Sequence, residues 1–89
     1  MIIMRPREFK TTDIDLAASI ITATNTRPVR IETGDLVIFI FPAEPAVKSL
    51  AAEYASGLLM LEVRRQAHNR AWLYRQIRQM KTIGYEVQK

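Results

Sequence analysis

The chain has 89 residues, enough for one small domain, and its apolar content of 48% argues against a disordered chain. It has no cysteine, which excludes disulfides, thiolate metal sites and thiol chemistry and favours a cytoplasmic location. The longest apolar stretches, residues 36–41 and 58–61, are much shorter than the roughly 20 residues that span a bilayer. The four apolar residues at the start are too few for a secretory signal. We therefore expect no membrane partner.

The formal net charge of +4 is unevenly distributed along the chain. Residues 1–61 contain six basic and seven acidic side chains, whereas residues 62–89 contain seven basic and two acidic ones. All of the excess positive charge therefore lies in the last third. Nine of the thirteen basic residues are arginine, whose planar guanidinium suits phosphate and carboxylate groups.

The first predicted elements are a short extended segment over residues 9–11 and a helix over about residues 13–23. Thr12 and Asp15 have the spacing of a capping box, in which two side chains satisfy free backbone N–H groups. The helix has a broad apolar face, formed by Ile14, Leu16, Ala17, Ala18, Ile20 and Ile21. Residues 24–26 are predicted to end it.

A β-hairpin is predicted next. Residues 28–33 alternate between apolar and charged side chains, which is typical of a half-buried strand. Gly34 and Asp35 fit a two-residue turn, in which glycine takes a positive φ. Residues 36–41 are all apolar and predict the central strand of the sheet, covered on both faces. Helices on both sides or a second copy of the chain would provide that cover, so a homodimer is one of two alternatives.

Two further helices complete the predicted fold. Glu44 and Pro45 open the first of them, and Gly57 caps it. The final helix is predicted over about residues 62–81 and stops near Gly84. The order predicts a single α+β domain over residues 1–89, ordered from about 7 to 83 with loose tails. It contains a two- to three-stranded antiparallel sheet and three helices in the order β-α-β-β-α-α.

A projection at 100° per residue divides the final helix into two sides. The apolar arc contains Val63, Ala67, Leu73, Tyr74, Ile77 and Met80. The other side is basic, and we take six residues on it or at its edge as candidate contacts with nucleic acid or a partner: Arg64, Arg65, His68, Trp72, Arg75 and Arg78. Arg70 and Lys81 fall within the apolar arc, and Arg70 marks either the edge of the core or a contact with a partner.

The basic side has two interpretations. Arginine neutralises phosphates, amide side chains read base edges and an indole stacks on bases, so the pattern is compatible with nucleic-acid binding. A solvated outer face opposite an apolar stripe has the same pattern. Trp72 also has two interpretations, packing on a neighbouring helix or partner and stacking on a base.

No constellation of residues indicates an enzyme. His68 is the single histidine and has no acid or cysteine near it in sequence, as a triad or a zinc site would need. Asp13 and Asp15 are explained by helix capping. The three glycines are too scattered for a phosphate-binding loop. We therefore expect no catalytic residue, cofactor, metal or small-molecule substrate.

The chain resembles a family of short prokaryotic and phage-associated proteins known as a domain of unknown function. The matching features are Phe9-Lys10-Thr11-Thr12-Asp13, Leu16-Ala17, residues 37–41, Tyr54 with Gly57, and Lys81. The resemblance covers about residues 8–82, and residues 58–71 depart most from it. It implies a similar layout of elements and assigns no activity and no site residue.

The sequence therefore predicts a non-enzymatic binding or interaction protein, such as an accessory of a phage or mobile element. Its partner would be a protein, including a second copy of the chain. The alternative is a nucleic-acid-binding protein that uses the basic side of the final helix.

Overall fold

The computed structural model describes residues 7–57 and 59–87, with side chains up to residue 80. Three strands and three helices follow in the predicted order: β1 (Glu8–Thr11), α1 (Ile14–Thr24), β2 (Arg30–Thr33), β3 (Val37–Pro42), α2 (Pro45–Ser56) and α3 (Val63–Val87). The predicted α+β class is confirmed. In the part of the chain that the structure describes, no helix has an apolar segment long enough to cross a bilayer.

The sheet is antiparallel, with β3 between β1 and β2 as predicted. Phe9 lies opposite Phe41, and Ile31 lies opposite Phe39, so these four side chains share one face. Phe39 and Phe41 are buried against the helices on this inner face. The charged residues of β1 and β2 occupy the outer face, because side chains alternate along a strand.

The hairpin turn differs from the prediction. Thr33 pairs with Val37, so three residues, 34–36, connect β2 and β3 instead of two. Gly34 does not take a positive φ, and the predicted type I′ or II′ turn is wrong. Leu36, predicted to start the strand, lies in the loop and is 66% exposed. No residue of this three-residue loop takes a positive φ.

Asp13 caps α1, and the predicted capping box is wrong. The Asp13 carboxylate accepts hydrogen bonds from the backbone N–H groups of Asp15 at 2.9 Å and Leu16 at 3.3 Å. Asp13 has the extended backbone of an N-cap, and aspartate is among the preferred residues there. Thr12 therefore lies outside the helix. The helix ends at Asn25, which has a left-handed φ of 56°, as the prediction of an end at residues 24–26 requires.

Helix α1 is the centre of the protein. Six consecutive residues, 17–22, are buried, which requires cover all around the helix because successive residues point 100° apart. The sheet, α2 and α3 provide that cover. Gly57 caps α2 with a φ of 76°, as predicted. The buried apolar core consists of Ala17, Ala18, Ile20, Ile21, Phe39, Phe41, Val47, Leu50 and Leu73.

Helix α3 is longer than predicted. Its backbone continues through Gly84 to Val87, so the predicted end near Gly84 is wrong. A glycine costs a helix only about 1 kcal/mol and does not stop it, and no proline follows. The Glu62 carboxylate caps the start, accepting from the backbone N–H groups of Arg64 at 3.0 Å and Arg65 at 2.7 Å. Of the predicted loose tails, residues 1–6 and 88–89 lie outside the described residues, and residues 84–87 have a helical backbone.

On the outer face of the sheet, the Arg30 side chain covers Ile40 within one chain. Ile40 points away from the helices, and yet it is fully buried. Arg30 on β2 pairs with Ile40, and its guanidinium reaches Glu8 on β1, at the opposite edge of the sheet, with Nη2 3.0 Å from Oε1. The Arg30 stem must therefore cross β3 above Ile40. A second contact, from Arg30 Nε to Glu32 at 3.1 Å, holds the guanidinium in place.

This arrangement predicts that Arg30 stabilises the fold in two separable ways. The guanidinium lowers the pKa of Glu8 below its ordinary value of 4.5. Stability from the ion pair is thus present above that value and is lost as the pH falls through the lowered pKa. We expect the stability difference between wild type and Arg30→Met to shrink as the pH falls below 4.5. Urea denaturation across a pH series would measure it.

Arg30→Ala is the matched control, because it also removes the stem over Ile40. The additional loss from Met to Ala should be independent of pH, since it comes from exposing apolar surface. Equal stability of the two variants would mean that the Arg30 stem does not cover Ile40.

Candidate functional site

The face of α3 that packs on α1 contains as many amides as apolar residues. Leu73 is fully buried, and five other residues of this face are half-buried: Gln66, Asn69, Trp72, Gln76 and Ile77. Their spacing of three and four residues makes one continuous stripe.

Hydrogen bonds between side chains join this stripe to α1. Gln66 Nε2 donates to the Ser19 hydroxyl and to the Asp15 carbonyl oxygen, both at 3.2 Å. The buried Thr22 hydroxyl lies 3.1 Å from Gln66 Oε1 and accepts from Asn69 Nδ2 at 2.9 Å. Among the described residues, no buried side-chain nitrogen or oxygen lacks a partner. Both hydroxyls also donate within α1, Ser19 to the Asp15 carbonyl oxygen at 2.7 Å and Thr22 to the Ala18 carbonyl oxygen at 2.8 Å. The two amides of α3 therefore add hydrogen bonds across the interface to hydroxyls that are already bonded within their own helix.

This pairing turns α3 by about 75° from the orientation that its apolar residues predict, as counted at 100° per residue. Val63 is 79% exposed and Tyr74 is 45% exposed, and Ala67 is exposed as well. Met80 is 36% exposed. The prediction that these four residues lie in the apolar arc facing the core is wrong. The physical reason is that Gln66 and Asn69 gain hydrogen bonds to α1 in this orientation, which apolar side chains in their place could not make.

The Arg70 side chain contacts Asp15 and Tyr74 of the same chain. Its Nε lies 3.1 Å from Asp15 Oδ1, and its guanidinium lies 5.7 Å from the centre of the Tyr74 ring. Arg70 therefore closes one edge of the contact between α1 and α3. The Lys81 side chain lies outside the described residues.

Five of the six predicted contact residues form one exposed basic surface on α3, which we define as Arg64, Arg65, His68, Arg75 and Arg78. Among the described side chains, ion pairs join Arg30 to Glu8 and Glu32, and Arg70 to Asp15. No arginine of the basic surface is paired with a described acid. Exposed charge of one sign without local neutralisation attracts anions.

Trp72, the sixth predicted contact, packs against the protein core. It is half-buried, and the Arg27 guanidinium lies over its ring at 4.7 Å from the ring centre. Of the two interpretations of Trp72, the structure shows packing. The ring is therefore not presented for base stacking in the way that the alternative requires.

Arg27 is a residue that the sequence reasoning missed. It lies in the connection between α1 and β2, where no helical or strand period relates it to α3. A cation over an indole ring is held by the ring's electrons. The contact therefore brings a further positive charge to the edge of the basic surface.

Two open grooves border the basic surface. One lies between the end of α1 and the start of α3 and is lined by Asn25, Arg64, Arg65, His68 and Asn69. The other runs along α3 alone and is lined by Ala71, Tyr74, Arg75 and Arg78. Both grooves are therefore lined by arginine and contain no acidic side chain among the described residues.

Asp13, an acidic residue of the helical side, has structural contacts. Asp13 caps α1 and also accepts a hydrogen bond from the Tyr54 hydroxyl at 3.0 Å. Desolvation and the Asp13 carboxylate raise the pKa of Tyr54, which keeps the phenol in its donating form.

Within the described residues, no group of three or more histidine, aspartate or glutamate side chains could hold a metal ion.

Comparison of the chain with family models, with curated proteins and with solved structures gave no match. The resemblance to a family of short prokaryotic and phage-associated proteins therefore stays a prediction.

Replacing Gln66 tests the contact between α1 and α3. Gln66→Ala removes the amide that bonds Ser19 and Thr22, while both hydroxyls keep their carbonyl acceptors in α1. We therefore expect a loss of about 0.5–1.5 kcal/mol in the free energy of unfolding for each hydrogen bond removed. Gln79→Ala on the exposed side of the same helix should change it by no more than about 0.5 kcal/mol. Urea denaturation would measure both. Equal effects would show that the amide contributes nothing to the interface.

Proposed function

We propose that the protein is a non-enzymatic binding module that holds the phosphate backbone of a nucleic acid against the basic surface of α3. The observation that carries this proposal is the set of exposed arginines without a described acidic partner. Arginine contacts phosphate oxygens through two parallel hydrogen bonds, and each phosphate that it neutralises releases counterions from the nucleic acid.

The length of the surface fits several phosphates. Arg64 and Arg78 are separated by fourteen residues, or about 21 Å at the rise of an α-helix. Duplex DNA carries a phosphate charge for about every 1.7 Å of its axis. A straight helix of this length therefore passes several phosphates of one duplex.

The mode of binding that we propose does not depend on the base sequence. Gln66 and Asn69, which are amides of the kind that read base edges, are bonded to Ser19 and Thr22. The Trp72 ring is covered by Arg27. Contacts with phosphates position a protein on nucleic acid without specifying sequence.

A protein partner is the second candidate, because two apolar residues near the start of α3 are strongly exposed. Met60 is 92% exposed and Val63 is 79% exposed. An interaction module of a phage or mobile element would use this patch. A homodimer would also use it. The apolar character of both faces of β3, which favours a dimer in the sequence, does not require one, since Ile40 is fully buried within a single chain.

A cytoplasmic location belongs to the same proposal. The lack of cysteine is compatible with a reducing compartment, and nucleic acid is available there.

Charge reversal of the basic surface tests the proposed function. We expect wild-type protein to bind labelled mixed-sequence duplex DNA, measured by fluorescence anisotropy. If four arginines each neutralise one phosphate, the log–log salt dependence should have a slope of about −3 to −4. Changing Arg64, Arg75 and Arg78 to Glu should lower the affinity at least about 100-fold at low salt.

The control variant carries the same change of net charge on other surfaces, with Arg7, Lys10 and Lys48 changed to Glu. All three residues are exposed. This variant should keep most of the wild-type affinity. Equal losses in the two variants would point to net charge alone, and no binding by the wild type at low salt would refute the proposal.

A further inference from the structure

The groove between the end of α1 and the start of α3 differs from the rest of the basic surface, because two segments of the chain build it. Asn25 comes from the end of α1, and the other four lining residues come from the first two turns of α3: Arg64, Arg65, His68 and Asn69. We call it the anion groove. Its residues converge on one space of about 350 Å³.

The same two segments continue beyond the groove. Trp72 lies three residues after Asn69 and four after His68, which places it one turn further along the same side of α3. Arg27 follows Asn25 by two residues and lies over the Trp72 ring. The Arg27 guanidinium therefore stands near one end of the anion groove.

The walls of the groove are held in place before any ligand binds. Asn25 has a fixed left-handed backbone, and its N–H donates to the Ile21 carbonyl oxygen at 2.9 Å. Asn69 is bonded to Thr22, and Arg27 rests on Trp72. Side chains that are already ordered lose less entropy on binding.

We infer that the anion groove binds a phosphate group and that Arg27 is a further contact residue for the ligand. The guanidinium forks of Arg64, Arg65 and Arg27 match pairs of phosphate oxygens. Glu62, the acid nearest in sequence, is engaged with the backbone N–H groups of Arg64 and Arg65. The inference rests on the proposed function for its biological ligand, a nucleic acid.

The first experiment uses pyrophosphate as the probe and two-dimensional ¹H–¹⁵N NMR of the full chain. We expect shifts concentrated at Asn25, Arg27, Arg65, His68 and the Trp72 indole N–H. In the double variant Arg27→Gln, Arg65→Gln, the affinity for pyrophosphate obtained from these shifts should fall about ten-fold or more. The matched double variant Arg75→Gln, Arg78→Gln loses the same charge on the same helix and should retain them.

Two results would overturn the inference that the anion groove binds a phosphate group. One is the absence of any pyrophosphate shift in the wild type. The other is a set of shifts spread along α3 that weakens equally in both double variants, because this is what nonspecific attraction of an anion produces. The dispersion of the spectra shows whether each variant is folded, so a folding defect is recognised directly.

The second experiment separates the groove from the proposed function. The double variant Arg27→Gln, Arg65→Gln should bind duplex DNA about ten-fold or more weakly than the wild type. The slope of its log–log salt dependence should fall by about 2 in magnitude. Duplex binding that this variant leaves unchanged would overturn the inference and leave the proposed function standing. Failure of the wild type to bind duplex would refute the proposed function, and the pyrophosphate result would then decide the groove alone.

Discussion

The hydrogen bonds between α1 and α3 fix the rotation of α3 about its own axis. Ser19 and Thr22 are buried on α1, and the hydroxyl of each also donates to a carbonyl oxygen of its own helix. Gln66 and Asn69 bond these hydroxyls across the interface at distances of 2.9–3.2 Å, and each such bond contributes about 0.5–1.5 kcal/mol. Leu73 then enters the core beside them. A rotation that buried more apolar surface of α3 would break these bonds inside the protein.

The exposed surface follows from that rotation. With the amides turned inward, the arginines from Arg64 to Arg78 and the apolar Val63 are left facing solvent. The connection after α1 then lies against α3, so that Arg27 meets Trp72 and the anion groove forms beside Asn25. The outer face of the sheet carries no such surface, since Arg30 is engaged with Glu8 and Glu32. The unpaired positive charge is thus concentrated on the helical side.

Elements that follow from the apolar pattern of one segment could be predicted from the sequence, whereas the cap of α1, the turn type and the end of α3 could not. An uninterrupted apolar run indicated the central strand β3, and the exposed arginines of α3 lie on the side that its periodicity indicates. Features that depend on two segments could not. Periodicity counts apolar residues, so it does not reveal that Gln66 and Asn69 pair with hydroxyls on α1. It also carries no signal for Arg27, which lies in a loop and reaches the site only through the Trp72 ring.

The rotation of α3 is the claim on which the account depends, and thiol labelling tests it most directly. The chain has no cysteine, so one introduced thiol is a unique probe. Periodicity places Ala67 and Leu73 in the same buried arc, whereas the structure exposes Ala67 and buries Leu73. The account predicts that Ala67→Cys reacts with an alkylating reagent as fast as a free peptide thiol, while Leu73→Cys reacts far more slowly. Equal protection of the two thiols would contradict it.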